Sequence, residues 1–314
     1  MIKTLFLFLF IASLFSCTKE VKIDIPGYKA ELVVDGAIET DQHPIVLLSQ
    51  AGNVYADSYI ETYVNSFITT ADVKVVVEND TFILVPTLLT DLPESTQKKF
   101  AEMLKAEWPD ILQLPIQIYT NNDLIGEVGK AYTLIIQYKD QTYEGTTTLP
   151  VPVPLQSVFW KLEPETGEYG FSHGILADPP NVFNAYKWEV KRINTQIDGT
   201  PLDYTFRKVS GAHFRDRYFD GLTIEITRSN PLKRKDSTHL EIYKHYYRLG
   251  DSLVIKFSSI DQKTYEFFRA KSAQLENSGN PFSTPINLPS NMSNGALGIW
   301  AGYSTTFDTL WCVE

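Results

Sequence analysis

The stretch HFRDRYFDG brings a histidine, His213, near two carboxylates, Asp216 and Asp220. A histidine beside two carboxylates could serve acid–base hydrolysis, and loop carboxylates could bind calcium. Calcium loops, however, place an oxygen ligand at every second residue, which this spacing does not do. The spacing therefore favours a solvated turn. A surface hydrolase with acids carried on loops is kept as the enzyme alternative.

Other patterns typical of catalysis or metal binding are not formed in the sequence. The five histidines make no H-E-x-x-H motif, and no G-x-S-x-G nucleophile elbow occurs. Gly295, Gly298 and Gly302 precede no helix-forming run, so they favour a closing strand over a dinucleotide loop. With two cysteines, the chain has neither a disulfide framework nor a cysteine-based zinc site. We therefore predict a non-enzymatic protein with no catalytic residue, no metal site and no cofactor.

Tyrosines recur at every fourth residue in NVYADSYIETYVNSF, at Tyr55, Tyr59 and Tyr63. One interpretation is an irregular connection or a short helix that docks an aromatic face on the fold. The other is an exposed recognition surface, because tyrosine offers a large contact area at a low entropy cost. The three tyrosines are our candidate contacts for a ligand or partner.

The N-terminus carries the pattern of a lipid-anchored protein. Lys3 precedes the apolar run LFLFLFIASLF, which is too short to span a bilayer core that needs about 20 apolar residues. The following residues 14–17, LFSC, resemble the bacterial lipobox. We therefore predict a signal peptide over residues 1–16, lipidation of Cys17, and a tether over residues 17–29. Acyl chains on Cys17 would anchor the protein permanently.

The charge of the chain excludes one class of partner. Its formal net charge is −10, so it does not attract a phosphate backbone, and we predict no nucleic-acid binding. Hydrophobic residues make up 43% of the chain, which is enough for one large or two medium cores. The composition is that of an ordered globular protein.

Alternating apolar residues indicate β-strands along most of the chain. Val73, Val75 and Val77 alternate in one hairpin pattern, and Tyr132, Leu134 and Ile136 alternate in a second. Helical spacing occurs near residues 93–108 and 260–276, where Ser259 and Gln262 fit a capping box. Strands without alternating helices favour an all-β, mainly antiparallel fold.

The stretch LPVPVPLQ stiffens the chain through Pro150, Pro152 and Pro154 and is incompatible with a central strand. We place the domain boundary there. This predicts two β-sandwich-like domains, each with one short helix: an N-terminal domain over residues 30–150 and a C-terminal β-rich domain over residues 151–314.

Five segments together carry a family resemblance over nearly the whole mature chain. They are YKAELVVDGAIETDQHPIVLLSQ, GKAYTLIIQYKDQTYEGTTTLP, FRDRYFDG, GDSLVIKFSSIDQKTYEFF and PFSTPINLPSNMSNGALGIWAGYS. They resemble a family of Bacteroidetes lipoproteins defined as a domain of unknown function. Such proteins are often encoded beside TonB-dependent outer-membrane receptors, and the resemblance supplies no catalytic residues.

The resemblance and the lipobox together imply an outer-membrane lipoprotein that acts as an accessory to a TonB-dependent transporter, either binding a ligand or capping the barrel. The cell surface is the expected face, and the periplasmic face stays open. A purely structural envelope protein is a further alternative.

Overall fold

A computed structural model describes residues 31–51, 66–232, 241–277 and 287–313. The strands in these ranges are β1 (Leu32–Glu39), β2 (Ile45–Gln50), β3 (Asp72–Val77), β4 (Asp80–Leu88), β5 (Gln117–Thr120), β6 (Ala131–Tyr138), β7 (Gln141–Thr148), β8 (Ser157–Leu162), β9 (Tyr169–Ala177), β10 (Ala185–Arg192), β11 (Arg207–Arg215), β12 (Thr223–Arg228), β13 (Tyr247–Arg248), β14 (Ser252–Ile260) and β15 (Leu297–Trp311). The helices are α1 (Glu94–Leu104), α2 (Gln262–Glu276) and three short 3-10 turns at Leu89–Asp91, Asp110–Gln113 and Glu241–Tyr243.

Most strands join one large sheet. Its eleven strands follow the order β11-β10-β14-β15-β1-β2-β5-β4-β3-β6-β7, and a smaller sheet contains β12, β9, β13 and β8. The β1–β15 pair is parallel, while the other pairs among the described strands are antiparallel. The predicted all-β, mainly antiparallel fold class is confirmed.

Strand β15 connects the two stretches that we assigned to separate domains. Its first part pairs with β1, from Leu297 to Tyr303, and its second part pairs with β14, from Tyr303 to Trp311. Tyr303 is therefore opposite a residue of each neighbour, Glu39 on β1 and Ile260 on β14. The division at residues 150/151 into two sandwich-like domains stays a prediction, and one strand serves both stretches.

The predicted alternation is visible in the N-terminal hairpins. Val73, Val75 and Val77 of β3 are buried, while Lys74 between them is exposed. The strand turns back at Glu78, whose φ of 53° lies in the left-handed region that a tight turn uses. The β6–β7 hairpin follows the same pattern.

The two α-helices occur where they were expected, and their ends differ from the prediction. Helix α1 ends at Leu104 instead of near residue 108, because Lys105 adopts a left-handed conformation with φ 56°. The capping box at Ser259 is wrong: Asp261 caps α2, accepting a 2.7 Å hydrogen bond from the backbone N–H of Thr264. Neither helix, nor any other in the described ranges, is long and apolar enough to cross a bilayer.

The core of the N-terminal stretch includes a residue from the far end of the chain. Trp300 of β15 is fully buried in it, and its indole N–H donates a 3.0 Å hydrogen bond to the carbonyl of Tyr132. A Cβ added at Gly36 would lie 2.7 Å from the Trp300 ring, so the glycine makes room for the indole. Two smaller clusters pack under α1 and under α2. Both helices therefore lie against the large sheet.

Candidate functional site

A cavity of about 700 Å³ lies between the large sheet and the two helices. Residues of β1, β10, β11, β14 and β15 line it together with residues of α1 and α2. This volume is within the range of small-molecule sites, about 300–1,000 Å³. Eight lysine and arginine side chains and five carboxylates of the described residues line it. The cavity therefore has an excess of cationic groups, although the whole chain carries a net charge of −10.

Glu39, at the end of β1, pairs with two lysines from other elements. The Nζ of Lys99 on α1 lies 2.7 Å from Glu39 Oε2, and the Nζ of Lys256 on β14 lies 3.2 Å from Oε1. Burial would raise the pKa of Glu39, but Lys256 and Lys99 outweigh it and hold the pKa far below its ordinary value. Glu39 therefore stays ionised and links three elements around the cavity.

A second ion-pair group follows the register of the sheet. Glu189 on β10 lies directly between Lys208 on β11 and Lys256 on β14. The Nζ of Lys187 is 2.7 Å from Glu189 Oε2. Burial would raise the pKa of Glu189, but the surrounding lysines lower it below its ordinary value. Opposite charges on neighbouring strands stabilise such a row, so the sheet register itself orders these groups.

Lys208 on β11 and Lys271 on α2 differ from these lysines, because neither forms an ion pair with a carboxylate in the described part of the chain. Burial, and next the positive charge of Lys187, lower the pKa of Lys208 to about 7. Burial raises the pKa of the nearby Asp35, although Lys271 and Lys208 act in the opposite direction. Lys208 can therefore gain or lose a proton near neutral pH.

An aromatic group borders these lysines. His213 on β11 stacks on Phe268 of α2, with ring centroids 4.6 Å apart and an interplanar angle of 6°. The Nζ of Lys208 lies 4.7 Å from the centroid of the same Phe268 ring. Burial, and then Lys208, lower the pKa of His213 well below its ordinary value, so the imidazole is neutral at pH 7. Its Nε2 is buried without a hydrogen-bond partner among the described residues, so a small movement of the ring is needed before a ligand could bond to it.

Tyr303 adds a hydroxyl group to the cavity at the point where β15 passes from β1 to β14. The Nζ of Lys187 lies 4.6 Å from the centroid of its ring. Burial, followed by the charges of nearby acids, raises the pKa of Tyr303 well above its ordinary value. The phenol therefore stays protonated and can donate a hydrogen bond.

The sequence-predicted group His213, Asp216 and Asp220 is divided between two places. Asp216 and Asp220 join Asp178 in an acidic cluster whose oxygens lie within 4.8 Å of one another. Each accepts a backbone hydrogen bond, at 2.6 Å for Asp216, 2.8 Å for Asp220 and 3.2 Å for Asp178. Burial, together with repulsion from the other two acids, raises the pKa of Asp216. These bonds hold the loops together, and the three acids do not line the cavity that His213 lines.

The remaining sequence-predicted residues are outside the described ranges. These are the lipidation site Cys17 and the candidate contacts Tyr55, Tyr59 and Tyr63.

The cavity residues other than His213 were not predicted from the sequence. A usable signal was present in YKWEVK, where Lys187 and Glu189 interrupt an apolar strand, and in LVIKF, where Lys256 does the same. Charged residues are seldom buried unless they are paired. Two oppositely charged, strand-interior groups therefore indicate a buried polar site, while the identity of the partners requires the fold.

The fold and the cavity define the chain as a mainly antiparallel β-protein with a charged ligand-sized site between its sheet and its helices. A family model described as Domain of unknown function (DUF4249) matches residues 18–308, and the chain belongs to this family. Searches of curated proteins and of solved structures found no match. The predicted membership of a family defined as a domain of unknown function is confirmed.

Proposed function

We propose that this chain is a non-enzymatic lipoprotein of the outer membrane that binds a small ligand in the charged cavity as an accessory to a TonB-dependent transporter. The observation that carries the ligand-binding part is the cavity of about 700 Å³, into whose lining six of the seven surrounding secondary-structure elements place charged side chains. Charged side chains are rarely placed inside a fold without a partner or a function.

The buried ion pairs support a ligand-binding role for the cavity rather than a purely structural one. Replacing a buried ion pair by apolar residues is often neutral or stabilising, so stability alone does not require these charges. Lys208 and Lys271 line the same cavity without an ion-pair partner in the described ranges, and beside them the Nε2 of His213 is buried without a hydrogen-bond partner there. A bound ligand supplies the missing partner.

The outer-membrane and transporter parts rest on the sequence. The lipobox ending at Cys17 supports an acyl anchor, and the resemblance to Bacteroidetes lipoproteins encoded beside TonB-dependent receptors supports the partner. Within this proposal, Tyr55, Tyr59 and Tyr63 are candidate contacts to the receptor or ligand. The cell surface is the proposed location.

The test is affinity capture of the tagged, full-length protein from detergent-solubilised outer membranes, with Cys17→Ala as the control that should not reach the membrane. A TonB-dependent receptor that co-purifies with the lipidated chain, and not with the control, supports the proposal. Capture without any receptor at wild-type expression would contradict the accessory role and favour a structural envelope protein.

An enzyme is the second candidate, and one observation favours it. Asp35 with a raised pKa and Lys208 with a pKa of about 7 line the same cavity, and such perturbed pairs are common in acid–base catalysis. This differs from the His213, Asp216 and Asp220 hydrolase, whose groups are not brought together. Turnover of a peptide or glycan library that is lost in Lys208→Gln would establish an enzyme, whereas affinity without turnover supports the binder.

A further inference from the structure

We propose that the ligand of the cavity is a small organic anion whose carboxylate or phosphate group binds beside Lys208 and Lys271. This rests on the proposed function in one respect, namely that the cavity is a ligand site. It adds the chemical class of the ligand and the residues that select it.

Three lysines of the cavity are already neutralised by buried carboxylates. Glu39 holds Lys99 at 2.7 Å and Lys256 at 3.2 Å, and Glu189 holds Lys187 at 2.7 Å. If a ligand bound one of these lysines in place of its carboxylate, a buried ion pair would be broken. These groups therefore form the frame of the cavity and not its recognition site.

Lys208 and Lys271 have no such carboxylate in the described ranges, and they are partly buried, whereas Lys105 and Arg269, which lack one too, are exposed at the rim. They reach the cavity from two elements that pack against each other, since Lys208 is on strand β11 and Lys271 is on helix α2. Asp35 is near enough for both charges to act on it, yet it forms an ion pair with neither. An anion beside both side chains would gain charge-assisted hydrogen bonds from Lys271 and from Lys208 in its protonated form, which the anion favours.

The neighbouring rings indicate what the rest of the ligand is. The ring of Phe268 contacts the Nζ of Lys208 at 4.7 Å and stacks on the imidazole of His213 at 4.6 Å. Phe206 and Met103 line the same cavity. The neutral His213 can contribute its unpartnered Nε2 as a hydrogen-bond donor or acceptor. The anionic group therefore lies beside an apolar and aromatic surface, which suits an organic anion better than a bare inorganic ion.

The contrast with the rest of the molecule gives the cavity its selectivity. A chain of net charge −10 repels anions at long range, so a local excess of cationic groups must act at the site itself. A neutral ligand gains weaker hydrogen bonds from Lys208 and Lys271 than an anion does, and a cationic ligand is repelled by them. The lining therefore discriminates by charge sign.

Titration calorimetry on the purified full-length chain in detergent tests this with three matched probes: phenyl phosphate, phenylacetate and benzyl alcohol. We expect at least one aromatic anion to bind ten times or more tightly than the neutral alcohol. Comparing phenyl phosphate with phenylacetate decides between phosphate and carboxylate. The affinity of the better anion should fall as sodium chloride is raised, because the ammonium groups are then screened.

Variants assign the effect to the two lysines. Lys208→Gln combined with Lys271→Gln should weaken the better anion tenfold or more, while Lys263→Gln should leave it unchanged. Lys263 is an exposed lysine on the same helix as Lys271 and does not line the cavity. If the double variant does not fold, the single variants Lys208→Gln and Lys271→Gln and the salt dependence of the wild type are used instead. Weaker anion binding in either single variant then supports the assignment.

Equal affinity for benzyl alcohol and the anions overturns the proposal, as does binding of none of the probes or anion binding unaffected by all the lysine variants. None of these results bears on the proposed transporter partner, because receptor co-purification measures that interaction separately. A receptor that co-purifies with a protein indifferent to anions would keep the proposed function and remove this inference.

Discussion

Glu39 and Lys256 form a buried ion pair, 3.2 Å from oxygen to nitrogen, although 217 residues separate them in the chain. Lys99 pairs with the same carboxylate at 2.7 Å, so one acid neutralises two buried lysines. The pair joins β1 of the N-terminal stretch to β14 of the C-terminal stretch. Removing the pair should therefore lower the free energy of unfolding of the whole chain.

The first prediction concerns this carboxylate. Glu39→Gln leaves Lys99 and Lys256 buried without their shared partner, and loss of one member of a buried pair destabilises by about 3–5 kcal/mol. The measurement is urea denaturation followed by tryptophan fluorescence. Glu94→Gln is the control, because Glu94 pairs with Lys98 at the exposed surface of α1 and should change stability by less than about 1 kcal/mol. If Glu39→Gln and Glu94→Gln change the free energy of unfolding equally, Glu39 does not stabilise the fold through its buried lysines.

The second prediction concerns the pH dependence set by Lys208. Its pKa in the folded chain is lowered from 10.5 to about 7, so between these values the unfolded chain binds one more proton than the folded chain. Stability linked to Lys208 should therefore rise as the pH increases from 7 towards 10.5. Lys208→Gln should reduce this rise in denaturation curves recorded at pH 7, 8 and 9, and a variant with the same slope as the wild type would contradict the assignment.

The third prediction concerns the dependence of the N-terminal stretch on β15. Trp300→Ala removes a fully buried indole and its hydrogen bond, which should destabilise the chain by about 3–5 kcal/mol. Trp311→Ala on the same strand should have a much smaller effect, because Trp311 is 59% exposed. A fragment ending at residue 150 lacks β15 and should not fold alone. A cooperatively folded fragment would show that the N-terminal stretch is an independent domain.

The fourth prediction concerns lipidation. The intact mass of the membrane-extracted protein should correspond to residues 17–314 plus acyl chains. Cys17→Ala should release the protein from the membrane fraction. An unchanged membrane fraction for this variant would rule out Cys17 as the anchor.

The fifth prediction concerns Tyr55, Tyr59 and Tyr63. If they are exposed contacts, the triple serine variant should lose less than about 1.5 kcal/mol of stability, because surface substitutions usually change it by about 0.5 kcal/mol each. Receptor or ligand affinity should then fall tenfold or more. A loss of about 3 kcal/mol per tyrosine would instead place them in the core.

Local features of this fold could be read from the sequence, because they depend on neighbouring residues. The alternation at Val73, Val75 and Val77 predicted a hairpin that is present, and both helices occur where apolar residues share a helical face. The end of α1 could not be read in this way, since the left-handed conformation of Lys105 is not a common property of lysine.

The cavity could not be predicted, because its groups come from distant parts of the chain. No local pattern shows that Glu39 is near Lys256, or that β15 pairs in parallel with β1. The stretch HFRDRYFDG shows the same difficulty on a smaller scale. Neighbours in sequence, His213 and Asp216, belong to different sites because the strand ends between the cavity and the acidic loop cluster.

The position of β15 also sets the order in which this protein can become folded. Every other described strand leaves the ribosome earlier, yet β1 and β14 each have an edge that only β15 covers, and the N-terminal core lacks Trp300 until then. Contacts between residues so far apart close slowly. Until residues 297–311 have been synthesised, the nascent chain therefore lacks an interior strand of the large sheet and has two uncovered edges that favour aggregation. Insertion of β15 closes both edges in one step, so the two halves of the large sheet become stable together.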